Sequence, residues 1–162
     1  MKKLLLALMA FLLLGGVSFA ANIPNVVDPD DGSPSEVWIT PVYNNSGGTL
    51  DVGDVVVWDM EQSTGDDDNW VTTTTTAATS LVAGVVYPRD IVSADIGTIA
   101  IRGPVAVDAA GSLNSVDGPA CTSTTAGSAR SCLTAAEEQN SFGFVTTVNS
   151  GSSANICVRC NN

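Results

Sequence analysis

The sequence predicts an all-β protein: a single antiparallel β-sandwich or barrel-like domain of about nine strands, preceded by an extended N-terminal arm. Three observations lead there. Helical periodicity is nearly absent from the 162 residues. Runs rich in Val, Ile and Thr recur instead at short intervals, with Gly, Asn, Asp and Pro between them. Inside several runs apolar residues alternate with polar or small ones, the period of a half-buried strand.

The first element is not part of the fold. Lys2 and Lys3 precede an apolar stretch from Leu4 to Leu14, and Ser18-Phe19-Ala20 places small residues where a signal peptidase cuts. Residues 1–20 therefore read as an export signal removed before Ala21. The apolar stretch is shorter than the roughly 20 residues of a membrane span. No cysteine follows the cut to carry a lipid, and the apolar segment lies before the cut rather than after it, unlike a type IV pilin. The expected organisation is signal 1–20, arm 21–35 and β domain 36–162. The arm, ANIPNVVDPDDGSPS, holds three prolines and three aspartates. It reads either as a loose terminus or as a strand that adds to a neighbouring subunit's sheet.

Strands follow in order. EVWITPVY (36–43) leads into the turn NNSGG, then GDVVVWDM (53–60). After the acidic loop EQSTGDDDNW, VTTTTT has the β-branched residues of extended chain. LVAGVVYP (81–88), GTIAIRG (97–103), PVAVDAA (104–110), FGFVTTV (142–148) and ANICVRC (154–160) complete the set. Ile99, Ile101, Val105 and Val107 are expected on one face, with Gly103-Pro104 as a corner or strand switch. Segments 111–131 and 149–153, rich in Ser, Thr, Gly and Ala, read as loops or irregular edges. Thr134-x-x-Glu137 is a capping-box spacing that supports one helical turn at most.

Composition limits chemistry. Beyond residue 20 the basic residues are Arg89, Arg102, Arg130 and Arg159, against all 17 acidic residues, a formal charge of −13. Nucleic acid and anionic lipid need Lys and Arg to displace counterions, so neither is an expected partner, and no membrane insertion is expected after signal cleavage. There is no histidine, and both lysines lie in the signal. Ser-His-Asp and Cys-His catalysis, Schiff bases and P-loops are thereby excluded. Carboxylate pairs from Asp54, Asp59, Glu61 or Asp66–Asp68 could in principle work on sugars, but no spacing sets two across a cleft, and no enzyme is expected. No cofactor is expected either. A weak structural Ca²⁺ site at Asp66, Asp67 and Asp68 is the one metal candidate, since DPDDG at 28–32 lacks the spacing of a calcium loop.

Cys121, Cys132, Cys157 and Cys160 are even in number in a chain read as exported, and read as disulfides with three connectivities open. Cys157-Val-Arg-Cys160 has redox-motif spacing but lies in a β-rich tail rather than at a helix start. A four-cysteine zinc site fits neither the spacing nor an oxidising compartment. Asn44-Asn45-Ser46 is a glycosylation sequon. Trp38, Trp58 and Trp70 are candidates for core packing or for a subunit interface. Arg102 is expected to meet a carboxylate of its own chain, or an acidic loop of a neighbour.

Taken in order, NNSGGTLDVGDVVVWD, LVAGVVYPRDI, GTIAIRGPVAVDAAGS, GSA and FGFVTTVNSGSSA resemble small bacteriophage capsid-decoration and head-fibre-like proteins, over roughly 42–158. The resemblance implies a compact β domain that attaches to, or trimerises on, a repetitive protein surface, with no active site. Together with the export signal, it leads to the expectation of a secreted structural subunit that associates with itself in a filament, tube or surface layer. A binding or decoration module on a virion or cell surface is the alternative.

Overall fold

The computed structural model describes residues 36–60, 69–111, 113, 116–147 and 152–160. The export signal, the arm and the Asp66–Asp68 calcium candidate lie outside them. Among the described residues nine strands form, and one four-residue helix: β1 (Trp38–Asn44), β2 (Val55–Trp58), β3 (Trp70–Thr72), β4 (Val82–Val86), β5 (Ile96–Asp108), β6 (Pro119–Thr122), β7 (Ala129–Ser131), α1 (Ala135–Glu138), β8 (Gly143–Thr147) and β9 (Ser153–Val158).

The strand order is β1-β3-β2-β4-β5-β9-β8-β6-β7, and β1 also pairs with β5. The first five strands thus close into a ring. Pairing is antiparallel except between β1 and β3, which run parallel at Tyr43↔Trp70 and Asn44↔Val71. One core fills the ring: Val42, Val56, Val71, Ala83, Val86 and Ile99 come from its five strands, and Leu50 and Ile91 join them through a bridge. A second core lies between the ring and the remaining strands. Val55, Val82, Val85 and Ala100 meet Val105, Val107, Phe142, Val145, Ile156 and Val158 there.

Strand β5 belongs to both halves. Its first part pairs with β1 and β4, and from Gly103↔Val158 to Asp108↔Ser153 it pairs with β9. The two expected runs 97–103 and 104–110 are therefore one continuous strand that switches sheets at Gly103-Pro104. Their expected common face is not observed. Ile99 sits in the ring core and Ile101 packs against it, whereas Val105 and Val107 join Ala100 in the second core. The inversion falls between Ala100 and Val105. Register with β1 slips there, from Ile39↔Ala100 to Trp38↔Arg102, and Gly103 takes φ +104°.

Other elements differ from expectation in instructive ways. The threonine run is strand only to Thr72. Its far end is instead sewn to buried Thr122 of β6, whose hydroxyl donates to the Thr76 carbonyl (3.0 Å), and just beyond the run the Thr79 N–H donates to the same hydroxyl (2.9 Å). Segment 111–131 contains β6 and β7, and their pairing sets Cys121 against Arg130. The single helical turn forms as expected. The Thr134 hydroxyl accepts from the Glu137 N–H, and the Glu137 carboxylate reaches back to the Leu133 N–H (2.6 Å) and grips Arg130 (2.8 Å). All four cysteines pair, Cys121 with Cys132 and Cys157 with Cys160.

A Cβ at position 103 would run into the Glu36 carbonyl, and left-handed backbone costs a non-glycine residue about 1–2 kcal/mol before any clash. Gly103→Ala is expected to lower the thermal midpoint by more than Gly47→Ala, which has φ +78° but open space around it. Melting curves of the two variants provide the comparison.

Candidate interaction surface

The four residues expected at an interface do not form one group. Trp38 and Arg102 face each other in the β1–β5 register, and the guanidinium lies over the Trp38 ring, 5.1 Å from its centroid. A ring face attracts a cation through its quadrupole, a contact worth about 0.5–1 kcal/mol at an exposed site. This ring is the contact seen for Arg102, a different kind of partner from the carboxylate expected. Trp38 nevertheless remains 49% exposed and its neighbour Ile39 52% exposed. Burial of one aromatic face against its own chain leaves the rest of the pair facing solvent.

Trp70 lies five residues further along, opposite Tyr43, with the ring centroids 4.7 Å apart and tilted by 32°. At about 3.3 Å per residue that is some 17 Å from Trp38 along β1. Trp58 is half-buried against the ring core. These two indoles therefore pack locally, while Trp38 projects.

The chain reaches Trp38 along a fixed track. Glu36 and Val37 pass over Gly103, where only a residue without Cβ lets them approach, and Val37 packs on the second core. The root of the arm is thus held beside Arg102. Sequence reasoning missed Ile39 and this root. The only local signal is the apolar Val37-Trp38-Ile39 run, which breaks the alternation of a half-buried strand.

The other candidate chemistries separate. Asp54 and Asp59 flank β2 at opposite ends, and Glu61 lies outside the described residues. Asp54 sits instead among Asp108, Asp51 and Asp90. Burial raises its carboxyl above the ordinary value of 3.8, the three neighbouring carboxylates add to the rise, and a hydrogen bond from the Asp51 N–H (2.9 Å) opposes it. Gly127 presses directly on this carboxyl, so the group is packed rather than presented to a ligand. Among the described residues no cluster of three or more His, Cys, Asp or Glu is arranged to hold a metal ion. The sequon asparagine Asn44 is fully buried, and its amide donates to the Gly48 and Ile91 carbonyls, both at 2.7 Å. It is a staple for the loops at that end of the ring, and a glycan does not fit there.

Open depressions lie elsewhere among the described residues. One, of about 410 Å³, is lined by Asp117, Phe142, Phe144, Arg159 and Cys160. Another, of about 400 Å³, lies between Tyr87, Pro104, Ala106, Thr146 and Asn155. Neither includes the Asp54 cluster.

No family model matches the chain, and no curated protein matches it. Among solved structures it is similar to the N base of the head fibre protein gp8.5 of bacteriophage phi29. The TM-score is 0.52 at 14% identity, over 75% of this chain and 94% of that one. At that identity the likeness carries the fold, in line with the head-fibre-like strand pattern of the sequence.

Because the folded pKa of Asp54 is raised, the folded state binds its proton more tightly than the unfolded chain does. The contribution of Asp54 to stability is then greatest below the unfolded value of 3.8 and falls as pH rises through the folded value. Asp54→Asn, which keeps an acceptor for the Asp51 N–H, is expected to raise the melting temperature at pH 7. The gain should fade as pH is lowered toward 3.5, as thermal melts across that range would show.

Proposed function

We propose that this chain is a non-enzymatic structural subunit, exported from the cell, whose β domain associates with further copies of itself on or as an extracellular assembly. The observation that carries this reading is the projecting Trp38–Arg102 pair with Ile39, held beside the root of the arm on a rigid two-core scaffold. Aromatic residues and arginine are the types enriched at protein interfaces. The residue types left after export, with neither histidine nor lysine, support a structural rather than a catalytic part. Four paired cysteines suit an oxidising compartment.

A second reading is favoured by the fold. The similar solved structure is the N base of a bacteriophage head fibre, and a module of the same architecture could dock on a repetitive capsid or cell surface instead of on itself. The two readings differ in what the isolated protein does.

Sedimentation of the chain from Ala21 to Asn162 over a wide concentration range, followed by electron microscopy, tests the first reading. Concentration-dependent association is expected, weakened by Trp38→Ala and unaffected by Trp70→Phe. A species that stays monomeric at the highest concentration overturns self-assembly, and co-sedimentation with capsids would then test the decoration reading.

A further inference from the structure

We infer that the Arg102–Trp38 surface is the receptor for the acidic arm of a second copy, with Asp28, Asp30 and Asp31 as the groups it recognises. This rests on the self-association reading and names its contact. The argument begins with the cations. Arg130 is paired with Glu137, Arg159 donates to the Val82 carbonyl (2.8 Å), and Arg89 stands exposed next to Asp90 in the bend after β4. Arg102 is held by a ring, which orients the guanidinium without cancelling its charge. A carboxylate is the group that a guanidinium so oriented binds best, since its planar donors match two oxygens.

The ligand lies in the same chain. Asp28, Asp30 and Asp31 precede Glu36 by eight to five residues, a reach of roughly 17–28 Å for extended chain. Between and beside them stand Pro29 and Gly32, and Val26-Val27 precede them. The segment thus offers carboxylates for Arg102 and a short apolar stretch for the exposed faces of Trp38 and Ile39. The fixed root decides where the arm starts. Because Glu36 and Val37 are seated on Gly103, the arm leaves its own domain directly beside the receptor. Two copies that meet through this face bring each arm to the other's receptor, the reciprocal geometry of a self-complementary interface.

The test uses chains from Ala21 to Asn162 in four preparations: wild type, the arm variant D28N/D30N/D31N, the receptor variant R102Q, and an equimolar mixture of the two variants. Glutamine keeps much of the arginine stem, and melting curves establish that both variants are folded. Wild type is expected to associate, and more weakly as ionic strength rises. Each variant alone should lose at least about tenfold in apparent affinity, the scale of a close charge pair at an interface. The mixture should recover association, because one partner supplies an intact arm and the other an intact receptor. Variants that associate like wild type overturn this contact while leaving self-assembly standing. A mixture no better than its components also overturns it, since the arm would then bind its own domain. A monomeric wild type overturns the self-association reading itself.

Discussion

One strand cannot serve two sheets without a point at which its faces exchange, and this fold depends on that exchange in β5. Side chains alternate along a strand with period 2, so an unbroken β5 would present Ile99 and Val107 to the same side. Two cores on opposite sides of the ring wall require the reverse. The register slip against β1 and the positive φ of Gly103 supply the missing half-period. Residues before it fill the ring with Ile99, and those after it cover the ring's outer wall with Val105 and Val107. The same glycine lets the backbone at Glu36 and Val37 cross close by. Core partition, arm root and Arg102 position are therefore set by a single local irregularity.

The two halves are then tied by backbone groups at several points around the second core. The Val55 N–H donates to the Gly127 carbonyl (2.7 Å), the Asp108 N–H to the Gly53 carbonyl (3.0 Å), and Ala78 to Thr122. Arg159 adds a side-chain tie to Val82 from the turn closed by the Cys157–Cys160 disulfide. Each tie satisfies a donor or acceptor that burial between the halves would otherwise leave costly. With both halves locked in this way, the exposed end of β1 is carried on a scaffold that does not need to rearrange, and rigid presentation lowers the ordering cost of an interface.

Legibility in the sequence followed the physics of each element. Strands β2, β4, β8 and β9 bury Val and Ile and announce themselves by β-branched runs. Strands β6 and β7, Pro119–Thr122 and Ala129–Ser131, are short and bury only the small residues Ala120, Cys121, Thr122 and Ala129, which leaves no apolar alternation to read. The threonine run overstated β3, because β-branching favours extended backbone whether or not a partner strand lies alongside. In β5 the alternation continues through Gly103-Pro104 without a break, so the inversion leaves no trace in the pattern. The disulfide pairing follows from the β6–β7 hairpin, which brings the Cα atoms of Cys121 and Cys132 to 5.2 Å, and was open until that hairpin was known. At the candidate surface the residue types were legible but their grouping was not. Trp38 and Arg102 are distant in sequence, and only the β1–β5 register joins them while leaving Trp70 and Trp58 elsewhere.

Charge explains why an interface would use this corner. Beyond residue 20, seventeen acidic residues face four arginines, so two copies repel at long range. At physiological ionic strength that repulsion is screened beyond about 8 Å, and contact is decided by what lies within that distance. The charged side chains of the surface are mostly carboxylates. The start of β1 offers an oriented guanidinium, an exposed indole and an exposed isoleucine instead, and burying such apolar area gains roughly 25 cal/mol per Å². In a protein this acidic, the proposed association would be selective, because an approach that sets an unpaired arginine against carboxylates avoids the repulsion that like-charged faces meet.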